Sequence, residues 1–180
     1  ESDTIHIILI SGKARHGKDT VAQMLKIKYE KQNKKVLITH FAGLLKFICK
    51  QYFDWDGVKD DEGRALLQYV GTDVIRAKRP NYWVKFIKDI LSMFKNKWDY
   101  VLIPDCRFPN EINWGEDWDT TSVRVERINF ESPLAPAQQN HPSEIALDEY
   151  KFDYVIRAES GLDNLEIATN KFIDWMEDCQ

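Results

Sequence analysis

Nine consecutive residues carry the clearest chemistry in the sequence. Gly12-Lys13-Ala14-Arg15-His16-Gly17-Lys18 fits the spacing GxxxxGK, with Asp19 and Thr20 next. The stretch follows the apolar, β-branched segment Thr4 to Ser11 and precedes a helical pattern. Glycines at the two ends let the backbone turn so that several N–H groups converge on phosphate oxygens. The start of the following helix adds its positive end, and Lys18 supplies a full cation to the β- and γ-phosphates of a nucleoside triphosphate. A plain glycine turn with a solvated lysine is the alternative, disfavoured because motif and strand–helix context agree.

The loop departs from its usual form at one point. Asp19 stands where a Ser or Thr would bring a hydroxyl to Mg²⁺. A carboxylate is a good hard-oxygen ligand for Mg²⁺, and Asp is equally suited to cap a helix start, so both roles stay open. Asp105 ends the apolar run YVLIP, at the carboxyl edge of a strand, where ligands of open α/β sheets bind. It is a candidate metal or acceptor-orienting group, its alternative being a turn residue, and Arg107 lies two positions on.

Further cations lie between the strands: Lys46, Arg64, Arg76, Lys78 and Arg79. Each alone reads as a solvated charge; together around one cleft they suit a site that must neutralise two phosphorylated substrates. His141 has no metal-spaced partner, and the neighbouring Ser143 and Glu144 read as a helix cap. Of the six tryptophans, Trp83 is the one expected near a substrate base.

The elements that must position these groups alternate. Strands are expected at 4–11, 35–40, 100–104, 122–128 and 152–157, and helices at 18–31, 44–53, 62–76, 82–94, 144–149 and 162–176. Residues 129–142, with three prolines, read as a loop or lid. The alternation predicts an α/β fold with a mainly parallel sheet in a single domain, 1–180. Net charge is −4, which argues against polymeric nucleic acid as a partner while leaving room for a local cationic pocket. No apolar run is long enough for a bilayer, and no secretory segment opens the chain. Three unpaired, widely spaced cysteines, Cys49, Cys106 and Cys179, point to a reducing cytoplasm and to burial as small hydrophobes.

Several segments together resemble a known family. FAGLLK (41–46), LLQYVGTDVIR (66–76) with Pro80 and Trp83, DCRFPNEI (105–112), HPSE (141–144) and FDYVI (152–156) resemble the bacteriophage-type deoxynucleoside monophosphate kinases, over nearly the whole chain and in the same order. The GKD form of the loop is shared with them and with the related animal-type phosphomevalonate kinases. The resemblance implies a three-layer nucleoside monophosphate kinase fold with a five-stranded parallel sheet, an acceptor-binding helical region at about 41–98 and a lid at about 129–142. It implies ATP and Mg²⁺ as cofactors and a deoxynucleoside monophosphate as acceptor, in a monomer or homodimer.

By that resemblance, Lys18 and the amides from Gly12 to Thr20 bind the ATP phosphates. Lys46, Arg76 and Arg107 hold the acceptor monophosphate and the moving phosphoryl group, and Gln68 and Trp83 lie near the acceptor. Arg127 is a lid-side or adenine-facing cation, and Gly161 lets backbone approach the adenine. The segment 129–140 contains no Arg or Lys, so a lid arginine's work is expected to fall to Arg15, Arg107, Arg124 or Arg127. The rival readings are a kinase of another phosphorylated small molecule, such as phosphomevalonate, and a non-catalytic nucleotide sensor. A guanine-nucleotide switch lacks its NKxD motif, and a DNA-transaction ATPase fits neither charge nor size.

Overall fold

The structure, a computed structural model, describes residues 4–179. Five strands form one sheet: β1 (His6–Ser11), β2 (Val36–Ile38), β3 (Tyr100–Cys106), β4 (Asp119–Ile128) and β5 (Tyr154–Glu159). Their order is β2-β3-β1-β4-β5, and every adjacent pair is parallel. The expected all-parallel sheet is therefore present, with β1 at its centre.

A central strand of a covered sheet must be apolar on both faces. In β1, Ile7 and Leu9 enter one core and Ile8 and Ile10 the other, all without exposure, because successive side chains alternate across the sheet. The second core is built with α1 (Lys18–Lys31), through Val21, Ala22, Leu25 and Tyr29, and α8 (Leu162–Asp178), through Phe172, Ile173 and Met176. The first core takes α2 (Ala42–Tyr52) and α4 (Tyr82–Met93), through Leu45, Cys49, Trp83, Val84, Ile87 and Leu91.

Expected and observed elements differ in the middle of the chain. The single helix expected at 62–76 is α3 (Asp61–Gln68) continued by a π-helical stretch, Tyr69–Arg76. Asp60 caps α3 by accepting from the Gly63 N–H at 2.7 Å. Gly71 lies against Leu45 so closely that an added Cβ would stand 2.6 Å from Leu45 Cδ2. The wide π turn and the missing side chain together let the helix meet α2 at that point.

Short helices α5 (Pro109–Ile112), α6 (Pro136–Gln139) and α7 (Pro142–Ile145) each open on a proline, which has no N–H to leave unpaired. The helix expected at 144–149 is α7, which starts two residues earlier and ends four earlier. Of the cysteines, Cys49 and Cys106 are buried as expected, but Cys179 is exposed on the end of α8.

Candidate active site

The loop between β1 and α1 leaves the carboxyl edge of the central strand. Gly12 cannot carry a side chain: a Cβ there would stand 2.7 Å from the carbonyl oxygen of Val125 on the neighbouring strand. Gly17 has φ of 103°, and it ends the loop at the start of α1. Lys18, the first residue of α1, turns back over the loop, and its ammonium donates to the Gly12 carbonyl at 2.7 Å. The residue is 9% exposed. Burial, reinforced by the nearby Arg107 guanidinium, lowers its pKa from 10.5 to about 7. Glu144, Asp105 and Asp19 pull the other way without offsetting the cost of burial.

A cleft of about 340 Å³ opens beside this loop, walled by Lys18 and Asp19, α2, α3 with its π-helical extension, the end of β3 and Glu144 of α7. At the end of β3 the register with β1 slips: Leu9 pairs with Ile103, but Ser11 pairs with Cys106. The extra residue lies in the Pro104-Asp105 step, where proline has no ladder N–H to offer, and both residues reach the cleft.

The two carboxylates singled out in the sequence are held differently. Asp105 accepts from the Phe41 and Ala42 N–H groups at 3.0 and 2.9 Å, one on each oxygen, so it fastens the start of α2 to the end of β3. Asp19 caps nothing: the cap position of α1 is Gly17, and no side-chain cap is made. Its Oδ1 lies 3.2 Å from His40 Nε2, a hydrogen bond that holds its pKa below the usual carboxylate value. Among the described residues, no group of three or more His, Cys, Asp or Glu side chains is arranged to hold a metal.

Arg76 and Arg107 both line the cleft, and two buried glutamates fix them. Arg76 donates to Glu111 at 3.0 Å and to Asn110 at 2.8 Å, and its guanidinium lies 3.7 Å over the Phe108 ring. Arg107 donates from its backbone to Glu111 at 2.7 Å and from its guanidinium to Glu144 at 2.6 Å. Glu144 in turn faces the Ala14 N–H at 3.4 Å. Lys46, Lys59 and Arg64 line the same cleft, as does Gln68, whose amide reaches Ser143 Oγ at 3.4 Å. Burial and the adjacent Lys46 lower the pKa of Lys59.

Of the sequence candidates, Ala14, Arg15, Lys18, Asp19, Lys46, Arg64, Gln68, Arg76, Trp83, Asp105 and Arg107 line the cleft. Trp83 is buried, and its indole N–H is spent on the Gly71 carbonyl at 3.3 Å, so it presents a ring wall. Lys13 turns away to Asp148, 3.0 Å distant. His16, whose pKa is lowered chiefly by burial and next by Lys18, faces outward, with Nδ1 taking the Arg127 N–H at 3.0 Å. Thr20 follows in the first turn of α1.

Arg127 lies on that outer side, bonded to Ser160 and the Arg15 carbonyl and stacked 3.9 Å over Phe130. Gly161 opens α8 nearby at φ 120°. Lys78 and Arg79 are exposed and away from the cleft, contrary to the expectation that they gather there. Arg124 is buried against Ser11 and Asp148. Neither Ser143 nor Glu144 caps α7; His141 does, by accepting from the Ser143 N–H. Sequence reasoning passed over Lys59 and the roles of Glu111 and Glu144. Glu111 had one signal, its place three residues after Phe108, from which it reaches back to that residue's N–H at 3.0 Å.

A family model for "deoxynucleotide monophosphate kinase" matches residues 62–168. The chain belongs to the deoxynucleotide monophosphate kinase family. The match covers Arg76, Arg107, Glu111 and Glu144 but not residues 12–20, so loop and family stand on separate parts of the chain. The chain is 32% identical over 104 residues to a deoxynucleotide monophosphate kinase of Enterobacteria phage T4, covering 57% of this chain and 41% of that one. It is 29% identical over 143 residues to a putative deoxynucleotide monophosphate kinase of Acanthamoeba polyphaga mimivirus, covering 64% of this chain and 72% of that one. It thus spans well under half the length of the phage relative. A solved thymidylate kinase from Ehrlichia chaffeensis shares the fold, with TM-score 0.52 and 14% identity over 96% of this chain and 99% of that one.

Proposed function

We propose that this chain binds ATP with Mg²⁺ and transfers the γ-phosphoryl group to a deoxynucleoside monophosphate, giving ADP and a deoxynucleoside diphosphate. The observation that carries the reading is the meeting of Lys18, Arg107 and Arg76 in one cleft between the phosphate-binding loop and the helices of the family-matched region.

In this reading the loop amides and Lys18 hold the donor phosphates, and the buried Lys18 with Arg107 in the same cleft suits an anion. Lys46, Arg64 and Arg76 receive the acceptor phosphate, while Gln68 and Trp83 border its nucleoside. The acceptor phosphate is already ionised, so no strong base is required; positioning and charge neutralisation are the task. Asp19, exposed at the cleft, and Asp105 are the groups to hold Mg²⁺. A single carboxylate beside substrate phosphates is a sufficient protein contribution for that ion, so the residues present fit it. When bound, the ion would supply charge neutralisation at the donor phosphates. Arg127 and Gly161 border the donor base. The reading treats 1–180 as one kinase domain acting on small molecules, as monomer or homodimer, and its free cysteines suit a reducing cytoplasm.

The test is a panel of deoxynucleoside monophosphates, ribonucleoside monophosphates and phosphomevalonate, each supplied with ATP and Mg²⁺ and scored for ADP release. Turnover with one or more deoxynucleoside monophosphates is expected. Turnover with phosphomevalonate alone overturns the acceptor, and none with any acceptor overturns the reaction.

A further inference from the structure

Residues 141–148 bridge the two halves of the cleft. On the acceptor side, His141 Nε2 lies 3.1 Å from Asp73 and Ser143 Oγ takes the Gln68 amide. On the loop side, the Lys13 ammonium donates to the Glu144 carbonyl at 3.2 Å and pairs with Asp148 at 3.0 Å. Glu144 stands between them. Its side chain is 6% exposed, one oxygen holds Arg107 at 2.6 Å, and the other faces the Ala14 N–H at 3.4 Å.

A buried carboxylate at the mouth of a phosphate-binding loop sets two demands against each other. It repels the anion that the loop amides would hold, because like charges close together in a poorly screened site interact strongly. It also fixes the guanidinium of Arg107, which would otherwise lose its direction. An element that made the loop bind phosphate as tightly as it could would have no carboxylate there, so the charge is accounted for by what it does to Arg107.

We propose that Glu144 is a positioning residue that aims Arg107 across the loop mouth at the expense of donor affinity. When donor phosphate takes the Ala14 N–H, the carboxylate keeps its bond to Arg107 and gives up only the longer contact to the loop. The inference rests on the kinase reading for its turnover measurements alone; its affinity measurement requires no turnover.

The experiment compares Glu144→Gln and Glu144→Asp with the unaltered chain. ADP affinity is measured by calorimetry, kcat with the best acceptor, and folding by the thermal midpoint. Glu144→Gln, which removes the charge and keeps the shape, is expected to bind ADP roughly tenfold more tightly while kcat falls about tenfold or more. Glu144→Asp, which keeps the charge but draws it back from Arg107, is expected to leave ADP affinity unchanged and lower kcat. A merely structural role would weaken both quantities together. Folded Glu144→Gln that binds ADP no more tightly than the unaltered chain overturns the proposal. So does Glu144→Asp with unchanged kcat, which decides the matter by itself if the Gln variant lacks a native melting transition. If the unaltered chain transfers no phosphoryl group to any acceptor, the kinase reading fails, and the ADP titrations still decide the effect of the Glu144 charge.

Discussion

Arg76 and Glu111 form a buried ion pair at 3.0 Å, with side chains 13% and 5% exposed. The pair joins the π-helical stretch to α5. The same carboxylate accepts the backbone N–H groups of Arg107 and Phe108, so one residue orders both cleft arginines. Glu111→Ala is expected to cost about 3–5 kcal/mol of stability, since it leaves a buried guanidinium unpaired. Urea denaturation measures it.

The pH dependence of that pair has a definite sign. Burial pushes Glu111 up from 4.5 to about 7, against the pull of Arg76. The folded chain therefore binds more protons than the unfolded one between those values. Its contribution makes stability fall as pH rises from 4.5 to 7. Glu111→Gln should flatten that slope; an unchanged slope contradicts the assignment.

Lys18 behaves in the opposite sense. Its folded value of about 7 lies below the ordinary 10.5, so the folded chain binds fewer protons in that window and gains stability as pH rises through it. An anion bound beside the ammonium restores the proton. At pH 8, ADP binding should take up protons, read calorimetrically as heats that differ between buffers of different ionisation enthalpy. Lys18→Met should abolish the uptake, reduce phosphoryl transfer at least about 100-fold, and keep a native thermal transition.

Two glycines, Gly43 exposed on α2 and Gly71 buried in the π-helical stretch, make a paired test. Gly43 in α2 has nothing within 4 Å of an added Cβ, so Gly43→Ala should stabilise by about 0.5–1 kcal/mol. Gly71→Ala would place its methyl 2.6 Å from Leu45 Cδ2 and should destabilise by about 1–3 kcal/mol. It should also raise the acceptor KM more than the donor KM, because the π-helical stretch walls the cleft. Equal thermal shifts for the two variants would contradict this packing.

Asp105 separates scaffold from metal chemistry. Each of its oxygens takes a backbone N–H of α2, and Asn can offer only one acceptor oxygen. Asp105→Asn should therefore lose about 1–3 kcal/mol of stability without any nucleotide present. A purely metal-holding aspartate would show no such loss in metal-free buffer.

The strand–loop–helix at residues 6–31 was legible because all its signals are local: β-branched alternation, two glycines and a lysine at fixed spacing. The sheet was legible for the same reason. The pairings that complete the site were not, since they join distant residues. Asp105 meets Phe41 and Ala42 across more than 60 positions, and Glu144 meets Ala14 across 130. A glutamate beside Ser143 looks like a cap in one dimension and becomes an arginine's partner only when α7 is laid against the loop. The π-helical stretch shares the apolar spacing of an α-helix closely enough to be read as one, and its wider backbone hydrogen bonding leaves no mark in that spacing.

The absence of arginine and lysine from 129–140 has a consequence for how the protein could be altered. The cleft's cations stand on the β1–α1 loop, the helices and the segments between them, so in the kinase reading this loop would bring shelter and no cation. Shortening it should leave nucleotide capture intact and instead let water compete for the phosphoryl group, raising the ratio of ATP spilled to ATP used. That fidelity, rather than speed, is what the loop would set, and exchanging it for another segment of similar length without Arg or Lys should be tolerated.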